Sequence, residues 1–318
     1  MELTLADGSL RRIRLGQSAV WPTISKSGGK LAYATYSVHM NIWRKDLLNP
    51  ESAAAKLISS TREEWAPTYS PDGKHIAFIS TRGGIEEIWM SDPDGSQPVQ
   101  VSNFRSSDIR SPSWSPDGKE IAFDTQQAGE LYVVDVSERV SRKLNTNISN
   151  AEFPSWSHDG KWIYFVSVNP FHQKIYRCPS NGGDASLIAD LPPNLWGFYP
   201  VESFDGETIY FTSVGGDGKQ ALNAVSLRKP SSKVVLEEMP AVEQVVFSTI
   251  VPGGVYFVPA DAPKSLCYFD FRAKRVRPIF ESDKRFGDGF SVSPDGRYIL
   301  YSKVDEENQD IMLADKFR

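Results

Sequence analysis

Short runs of alternating apolar and polar residues follow one another along the whole chain, and they recur in groups of four. In one group Pro67-Thr68-Tyr69-Ser70 precedes a turn, Ile76-Ala77-Phe78 follows it, Ile88-Trp89 comes about ten residues later and Val99-Gln100-Val101 ends the group. Runs of this length and alternation are typical of half-buried β-strands, not helices. The pattern therefore predicts an all-β chain of repeated four-stranded units.

A Ser-Pro-Asp-Gly-Lys turn separates the first two strands of the best-formed units. Pro presets φ at the first corner, Asp bonds nearby backbone N–H groups and Gly takes the positive φ that closes the turn. The aspartates of these turns are therefore predicted to be turn formers and not catalysts. Clear copies start at Ser70, Ser115, Ser157 and Ser293, and weaker copies at Ser25, Ser203 and Val251, seven in all, with their turn glycines 42 to 47 residues apart.

Four short strands in a period of the low forties are typical of the blades of a β-propeller. The seven copies predict a single seven-bladed propeller domain over residues 1–318, with four antiparallel strands per blade. The blade repeats are expected to start near residues 21, 65, 110, 152, 198, 245 and 288.

The last repeat ends soon after its third strand, so it lacks a fourth. Asp7-Gly8-Ser9 followed by Arg12-Ile13-Arg14-Leu15 matches the approach to a fourth strand elsewhere. We therefore expect residues 1–16 to close the last blade and to remove its open sheet edge. Whether Leu3–Leu5 or Ile311–Leu313 supplies the third strand of that blade is left open.

The segment Pro-x-aromatic-Ser-Pro-Asp-Gly-Lys-x-Ile-Ala-Phe, complete at residues 112–123, resembles the TolB-type propeller repeat, a relative of the WD repeat. The resemblance covers nearly the whole chain and is poorest in the sixth repeat. Similar blades occur in the propellers of prolyl-oligopeptidase-like proteins and in C-terminal modules of bacterial regulators. The resemblance thus implies a scaffold and not an activity.

Composition removes some classes of function. The 318 residues carry a formal charge of −5, whereas nucleic-acid binders usually present a basic face. No apolar run approaches the ~20 residues of a membrane helix, and the N-terminus does not resemble a signal peptide. The expected location is the cytoplasm or the periplasm. Cys178 and Cys267 fall in third strands two blades apart, too distant for a disulfide.

Known catalytic and metal-binding patterns are absent from the sequence. No Gly-x-Ser-x-Gly elbow of a serine hydrolase occurs. The histidines His39, His75, His158 and His172 occupy unrelated repeat positions and lack the spacing of a zinc site. We predict no metal, no cofactor and no catalytic residue of these types.

The start of each innermost strand is the most informative place for a binding site, because function in repeat scaffolds concentrates on one face. Side chains two residues before the repeated Pro should converge there, and neighbouring aromatic residues add apolar area. For each of them the alternative is ordinary packing between blades. The predicted rim consists of Trp65, Arg110, Glu152, Phe198 and Asp288, with Trp21, Phe153 and Tyr199 beside them.

Glu202 departs from the repeat. Its position in the first strand is apolar in other units, for example Tyr69, Trp114 and Trp156. A buried carboxylate without a partner is costly. Glu202 should therefore either meet a Lys or Arg of a neighbouring blade or turn toward the channel, where it could bind a cation or an amine.

These features predict a monomeric, non-catalytic binding propeller that engages a protein or peptide through one face and the channel mouth. It could be the sensing or assembly module of a larger bacterial protein. Aromatic residues and arginine dominate interface energetics, which favours this interpretation. The alternative is an enzyme, a hydrolase or lyase, that uses Glu152, Glu202 and Asp288 in the channel.

Overall fold

The computed structural model describes residues 2–4, 10–12, 19–25, 30–49, 51–104, 108–169, 172–216, 220–228, 245–259 and 261–315. Every regular element among them is a β-strand. Within the same residues, no helix is long and apolar enough to span a membrane. The chain forms two compact units, one of residues 1–39 and 304–318 and the other of residues 40–303. The prediction of a single domain stays a prediction.

The first five strands belong to the beginning of the chain, and the long fourth strand runs through both units. The first two pair with each other, the third pairs with the fourth before residue 36, and the fifth pairs with the fourth after residue 41. They are β1 (Glu2–Thr4), β2 (Leu10–Arg12), β3 (Ala19–Ile24), β4 (Lys30–Asp46) and β5 (Ala55–Ile58).

The next strands form consecutive antiparallel sheets in which sequence neighbours are spatial neighbours. The first of these sheets is β6 (Glu64–Tyr69), β7 (Ile76–Ser80), β8 (Glu87–Ser91) and β9 (Val99–Gln100). The second is β10 (Ile109–Trp114), β11 (Glu120–Thr125), β12 (Glu130–Asp135) and β13 (Val140–Lys143). The third is β14 (Ala151–Trp156), β15 (Trp162–Ser167), β16 (Lys174–Pro179) and β17 (Ser186–Asp190).

Two more sheets and a final strand pair follow. The described part of one sheet is β18 (Leu195–Glu202), β19 (Thr208–Gly215) and β20 (Gln220–Ser226). The other sheet is β21 (Val245–Val251), β22 (Gly254–Pro259), β23 (Ser265–Asp270) and β24 (Arg275–Glu281). The last two strands are β25 (Phe286–Val292) and β26 (Tyr298–Asp315), of which β26 again runs through both units.

The described part of residues 40–303 thus holds six sheets, and seven blades are not confirmed. Six sheets are found instead of seven because repeats one and seven share one sheet, in the order β25, β26, β4, β5. Ile42 of β4 and Ile58 of β5 are buried in one cluster with Leu300 of β26. The burial of these apolar side chains therefore favours a sheet in which β4 and β5, the third and fourth strands of repeat one, extend β25 and β26 of repeat seven.

The predicted closing role of residues 1–16 is not confirmed in the residues described. β2 pairs with β1, with Leu3 opposite Arg11, and the neighbour of β26 is β4. In the unit of residues 40–303 the closing blade therefore takes its third strand from β4 and from neither Leu3–Leu5 nor Ile311–Leu313. Ion pairing supports this junction, since Arg297 Nη2 lies 3.1 Å from Asp46 Oδ2.

The repeated turns have the geometry that their composition predicts. Asp72 Oδ1 accepts hydrogen bonds from Ser70 Oγ at 2.7 Å and from Lys74 N at 3.1 Å, and Gly73 has φ of 70°. The bond from Ser70 is the main cause that lowers the pKa of Asp72 to about 2. Equivalent bonds form in the later turns, so the aspartates are confirmed as turn formers, at Asp117, Asp159, Asp205 and Asp295.

The second strand of each sheet is the most buried, because it is flanked by strands on both sides and covered by neighbouring sheets on both faces. Each carries a fully buried ring at its centre, namely Phe78, Phe123, Phe165, Phe211, Phe257 and Tyr301. Both cysteines are buried and unpaired, as expected.

Candidate functional site

A cavity of about 230 Å³ is lined by the first strands of all six sheets in residues 40–303. The lining alternates small and polar side chains with proline, and it carries the charged groups of Arg110 and Asp288. Each first strand supplies two to four residues, from Trp65–Thr68, Arg110–Ser113, Pro154–Ser155, Tyr199–Val201, Ser248–Ile250 and Asp288–Phe290. The first strands are therefore arranged around a common axis, as in a propeller.

A β-bulge shapes the wall of this cavity in five of the first strands. The strand register shifts around the residue before the repeated Pro, and that residue has a positive φ, as in Ala66 (50°), Ser111 (52°) and Phe153 (59°). Because Pro cannot donate to the ladder, the pairing skips this point and the strand bends. Tyr199 (51°), before Pro200, repeats the feature. In β25 the register also shifts and Gly289 has a positive φ (92°), although Phe290 stands in place of Pro.

The bulge at Gly289 gives a testable prediction. A Cβ at Gly289 would lie 2.5 Å from Ala66 Cα on the next first strand, and its φ of 92° disfavours any other residue. We expect Gly289→Ala to lower the free energy of unfolding by about 2–4 kcal/mol, from backbone strain and this contact together. Chemical denaturation followed by circular dichroism measures the loss.

Gly84→Ala is the matched control, because Gly84 has φ of 100° and nothing within 4 Å of the added Cβ. It should show the strain alone, about 1 kcal/mol. Equal losses in the two variants would contradict the close packing of β25 against β6.

Aromatic side chains lie on one side of the cavity. Phe153 packs edge-to-face against Phe198 and Tyr199, with ring centroids 5.4 and 4.8 Å apart. Tyr199 lines the cavity and stays 38% exposed, whereas Trp65 is buried in the core between sheets. The structure thus brings together Phe153, Phe198 and Tyr199, three of the residues placed at the rim in the sequence analysis, while most of Trp65 serves packing.

Arg110 is the basic centre of the site. Its Nε donates to Gln126 Oε1 at 3.0 Å, and its charge acts on the carboxyl groups of both Glu152 and Asp288. Burial raises the pKa of each of these two carboxyls, and Arg110 partly offsets that rise. Arg110, Glu152 and Asp288 therefore belong to one electrostatic cluster.

Asp124 belongs to the same cluster, and the sequence analysis missed it. It lies opposite Arg110 in the β10–β11 register and is only 1% exposed. Burial raises its pKa to about 7, despite hydrogen bonds from the Ser111 side chain and the Phe153 N–H. The available signal was a carboxylate where the other second strands hold Ile79 and Val166.

Glu86 is a second carboxyl that the sequence did not single out. Burial raises its pKa to about 7, Arg110 counteracts the rise and Asp108 adds to it. Its position just before β8 carries no distinctive pattern. In the described residues, no three His, Cys, Asp or Glu side chains are grouped as metal ligands would be.

Glu202 does not belong to this cluster. Its Oε2 accepts a hydrogen bond from the His158 N–H at 2.6 Å, and its Oε1 accepts one from the Tyr164 hydroxyl at 2.9 Å. The predicted partner from a neighbouring blade is therefore present, but it is a backbone amide and a phenol instead of Lys or Arg. Trp21 lies in the other unit, 73% exposed.

Sheets repeated around an axial cavity define this part of the chain as a β-propeller with a small central site. The chain belongs to the TolB β-propeller domain family, whose model matches residues 4–130 and 53–258.

A curated relative is the Tol-Pal system protein TolB of Xanthomonas campestris pv. campestris, 28% identical over 106 residues. The match covers 32% of this chain and 22% of that protein, so the chain spans about a fifth of the length of the curated relatives it matches.

Two solved structures share the fold. TolB from Acinetobacter baumannii has a TM-score of 0.57 at 17% identity, over 90% of this chain and 67% of that one. An oligogalacturonate lyase from Vibrio parahaemolyticus has a TM-score of 0.51 at 10% identity, over 91% and 98%. Since a fold carries many functions, the activity of this chain has to be argued from its site.

Proposed function

We propose that this protein is a non-catalytic binding propeller that holds a peptide segment of a partner protein in the axial cavity and its aromatic rim. The observation that carries the proposal is a cavity lined by the first strands of all six sheets described in residues 40–303. Its partly exposed Tyr199 and its Arg110 are of residue types that are enriched at protein interfaces.

The cavity suits an extended segment better than a folded domain. About 230 Å³ accommodates one or two side chains. Half-exposed aromatic residues such as Tyr199 extend the apolar surface beyond it. The family relationship supports a role in assembly, since the relatives are named for the Tol-Pal system. As in those longer proteins, the propeller could be one module of a larger bacterial protein, and we expect it to act as a monomer without nucleic acid.

Peptide selection tests this proposal directly. The purified protein is used to select from a phage-displayed library of random 12-residue peptides, and recovered peptides are titrated by fluorescence anisotropy. Thr249→Trp places an indole in the cavity from β21. We expect it to weaken peptide binding at least tenfold by exclusion of volume.

Val140→Trp is the matched control, since Val140 is an exposed residue of the outermost strand β13. It should bind the same peptides within twofold of wild type. Recovery of no peptide, or equal affinity for wild type and Thr249→Trp, would contradict the proposal. Circular dichroism confirms that both variants are folded.

The enzyme alternative stays a hypothesis with a reduced set of residues. Both carboxyl oxygens of Glu202 are engaged by His158 and Tyr164, and Glu202 is not among the charged groups that act on Glu152 or Asp288. The raised pKa of Asp124, about 7, is the observation that favours acid–base chemistry. Turnover of an acidic polysaccharide or a peptide that is lost in Asp124→Asn and Asp288→Asn would support it.

A further inference from the structure

The charges around the cavity are unequal, and this inequality bears on the chemistry of the bound segment. In the described residues, Arg110 acts electrostatically on the carboxyl groups of Glu86, Asp124, Glu152 and Asp288. Arg285 is a second base near Asp288. One guanidinium thus serves several carboxyl groups, and the site around Arg110 has more acidic than basic groups.

The excess of acidic groups includes an acceptor atom of Asp124 that has no hydrogen-bond partner among the described residues. Its Oδ1 is buried and accepts no hydrogen bond from any residue in the described ranges. Its carboxyl is hydrogen-bonded to the side chain of Ser111, a residue that lines the cavity. A Ser hydroxyl that donates its proton to a carboxylate directs its lone pairs elsewhere and can accept from a ligand donor. Buried polar atoms without partners are rare in proteins, so Asp124 Oδ1 adds an unsatisfied acceptor to this acidic cluster.

Tyr199 supplies a surface that is complementary to a cation. Its ring lines the cavity and is partly exposed, and Phe153 packs against it at 4.8 Å. Burial, together with Asp288 and Asp124, raises the pKa of Tyr199, so its phenol stays neutral. Aromatic faces beside carboxylates bind ammonium and guanidinium groups.

We propose that the cavity binds the ammonium or guanidinium group of a lysine or arginine side chain in the partner peptide. The inference rests on the proposed function and specifies the chemistry of that same site. Asp288 and the Ser111 hydroxyl are acceptors in the cavity lining, and Tyr199 gives the aromatic face. Asp124, Glu152 and Glu86 provide the surrounding negative potential. A carboxylate ligand on Arg110 would instead be repelled by this set.

Protons should leave the site when the cation binds. The pKa values of Asp124 and Glu86 are both about 7, so these groups are partly protonated at neutral pH. An added positive charge favours the carboxylate form, and therefore releases protons and strengthens binding as pH rises from 6 to 8.

The groups that face Asp124 come from three strands. β10 places Arg110 and Ser111 against it, and β12 places Leu131 opposite it. β14 contributes Glu152 and the Phe153 N–H. Arg110 is the one cation in this set, and it lowers the pKa of Asp124. No other basic group is among the causes that change the pKa of Asp124.

The test uses the peptides recovered with the purified protein. We expect a lysine or arginine in each peptide that Thr249→Trp excludes, and its replacement by norleucine should weaken binding at least tenfold. Asp288→Asn should weaken binding about fivefold, and Arg110→Gln should strengthen it severalfold because it removes the opposing charge. Calorimetry in phosphate and in Tris should show proton release that is reduced in Asp124→Asn.

The expected strengthening of binding in Arg110→Gln, opposite to the weakening in the other variants, separates this inference from the proposed function. Peptides that bind in the cavity but tolerate norleucine, and that Arg110→Gln weakens, would overturn the cation site and leave the binding propeller intact. Peptides unaffected by Thr249→Trp would overturn both.

Discussion

Replacement of Arg82 by Met is expected to lower the free energy of unfolding by about 3–5 kcal/mol, the usual cost of breaking a buried ion pair. Glu64 is 0% exposed, and Arg82 Nη2 lies 2.8 Å from its Oε1. Ser60 Oγ donates to the same oxygen at 2.6 Å, whereas Oε2 accepts no hydrogen bond from the described residues. Without Arg82, the carboxylate would be left buried with a single neutral partner.

The aliphatic part of Met keeps much of the contact that Arg82 makes over the rings of Phe78 and Trp89. Urea denaturation at pH 7, followed by circular dichroism, measures the loss. Lys74→Met is the matched control, since the Lys74–Asp72 pair is exposed, and it should cost less than ~0.5 kcal/mol.

A double variant decides whether the buried charge of Glu64 or the lost packing of Arg82 is responsible for the loss of stability in Arg82→Met. Glu64→Gln in the Arg82→Met background removes the stranded charge and should recover at least half of the lost stability. A double variant as unstable as Arg82→Met alone would show that packing of the guanidinium, and not the buried charge, accounts for the effect.

Replacement of Asp124 by Asn should remove a loss of stability that occurs as pH rises. Burial raises the folded-state pKa of Asp124 to about 7, from an ordinary value near 4. Between these values the folded state holds more protons than the unfolded state, so the free energy of unfolding falls with increasing pH. At about 1.4 kcal/mol per pKa unit, with nearly two units of the slope lying between pH 5 and pH 7, the loss from pH 5 to pH 8 is about 2.5 kcal/mol.

Denaturation of wild type and Asp124→Asn at pH 5, 6, 7 and 8 measures this difference. The Asn side chain retains an acceptor for Ser111 and the Phe153 N–H. The free energy of unfolding of Asp124→Asn, relative to that of wild type, should therefore increase as pH rises. If the free energy of unfolding changed with pH in the same way for both proteins, this would contradict a raised pKa for the buried Asp124 carboxyl.

Asp72→Asn is a control of opposite sign. Hydrogen bonds from Ser70 and Lys74 lower the pKa of Asp72 to about 2, so its contribution is complete above the unfolded pKa and disappears only in strong acid. Asp72→Asn should leave the slope between pH 5 and 8 unchanged.

Several structural features were predictable because they depend on short segments. The Ser-Pro-Asp-Gly turns follow from φ preferences and local hydrogen bonds, and Asp72, Asp117 and Asp159 confirm them. The alternation of apolar residues predicts the second strands, each with a buried ring. Phe153 and Tyr199 hold equal positions in adjacent repeats, directly before Pro154 and Pro200, and their rings pack together.

The partners of individual polar groups were not predictable, because they lie on different repeats. Glu202 was expected to meet Lys or Arg but accepts from the His158 amide and the Tyr164 hydroxyl, 44 and 38 residues away. Asp124 has no sequence signal beyond a carboxylate in an apolar strand. Its raised pKa depends on burial between β10 and β14, which only the packed sheets create.

The sequence by itself determined that this protein is an all-β repeat chain with propeller blades, because turn chemistry and alternation act over fewer than ten residues. Only the tertiary structure decided how many sheets surround the cavity and which strands close the last one. Those outcomes depend on which apolar edges find burial together. Ile42 and Ile58 pack with Leu300 from the opposite end of residues 40–303, and no local pattern specifies that pairing.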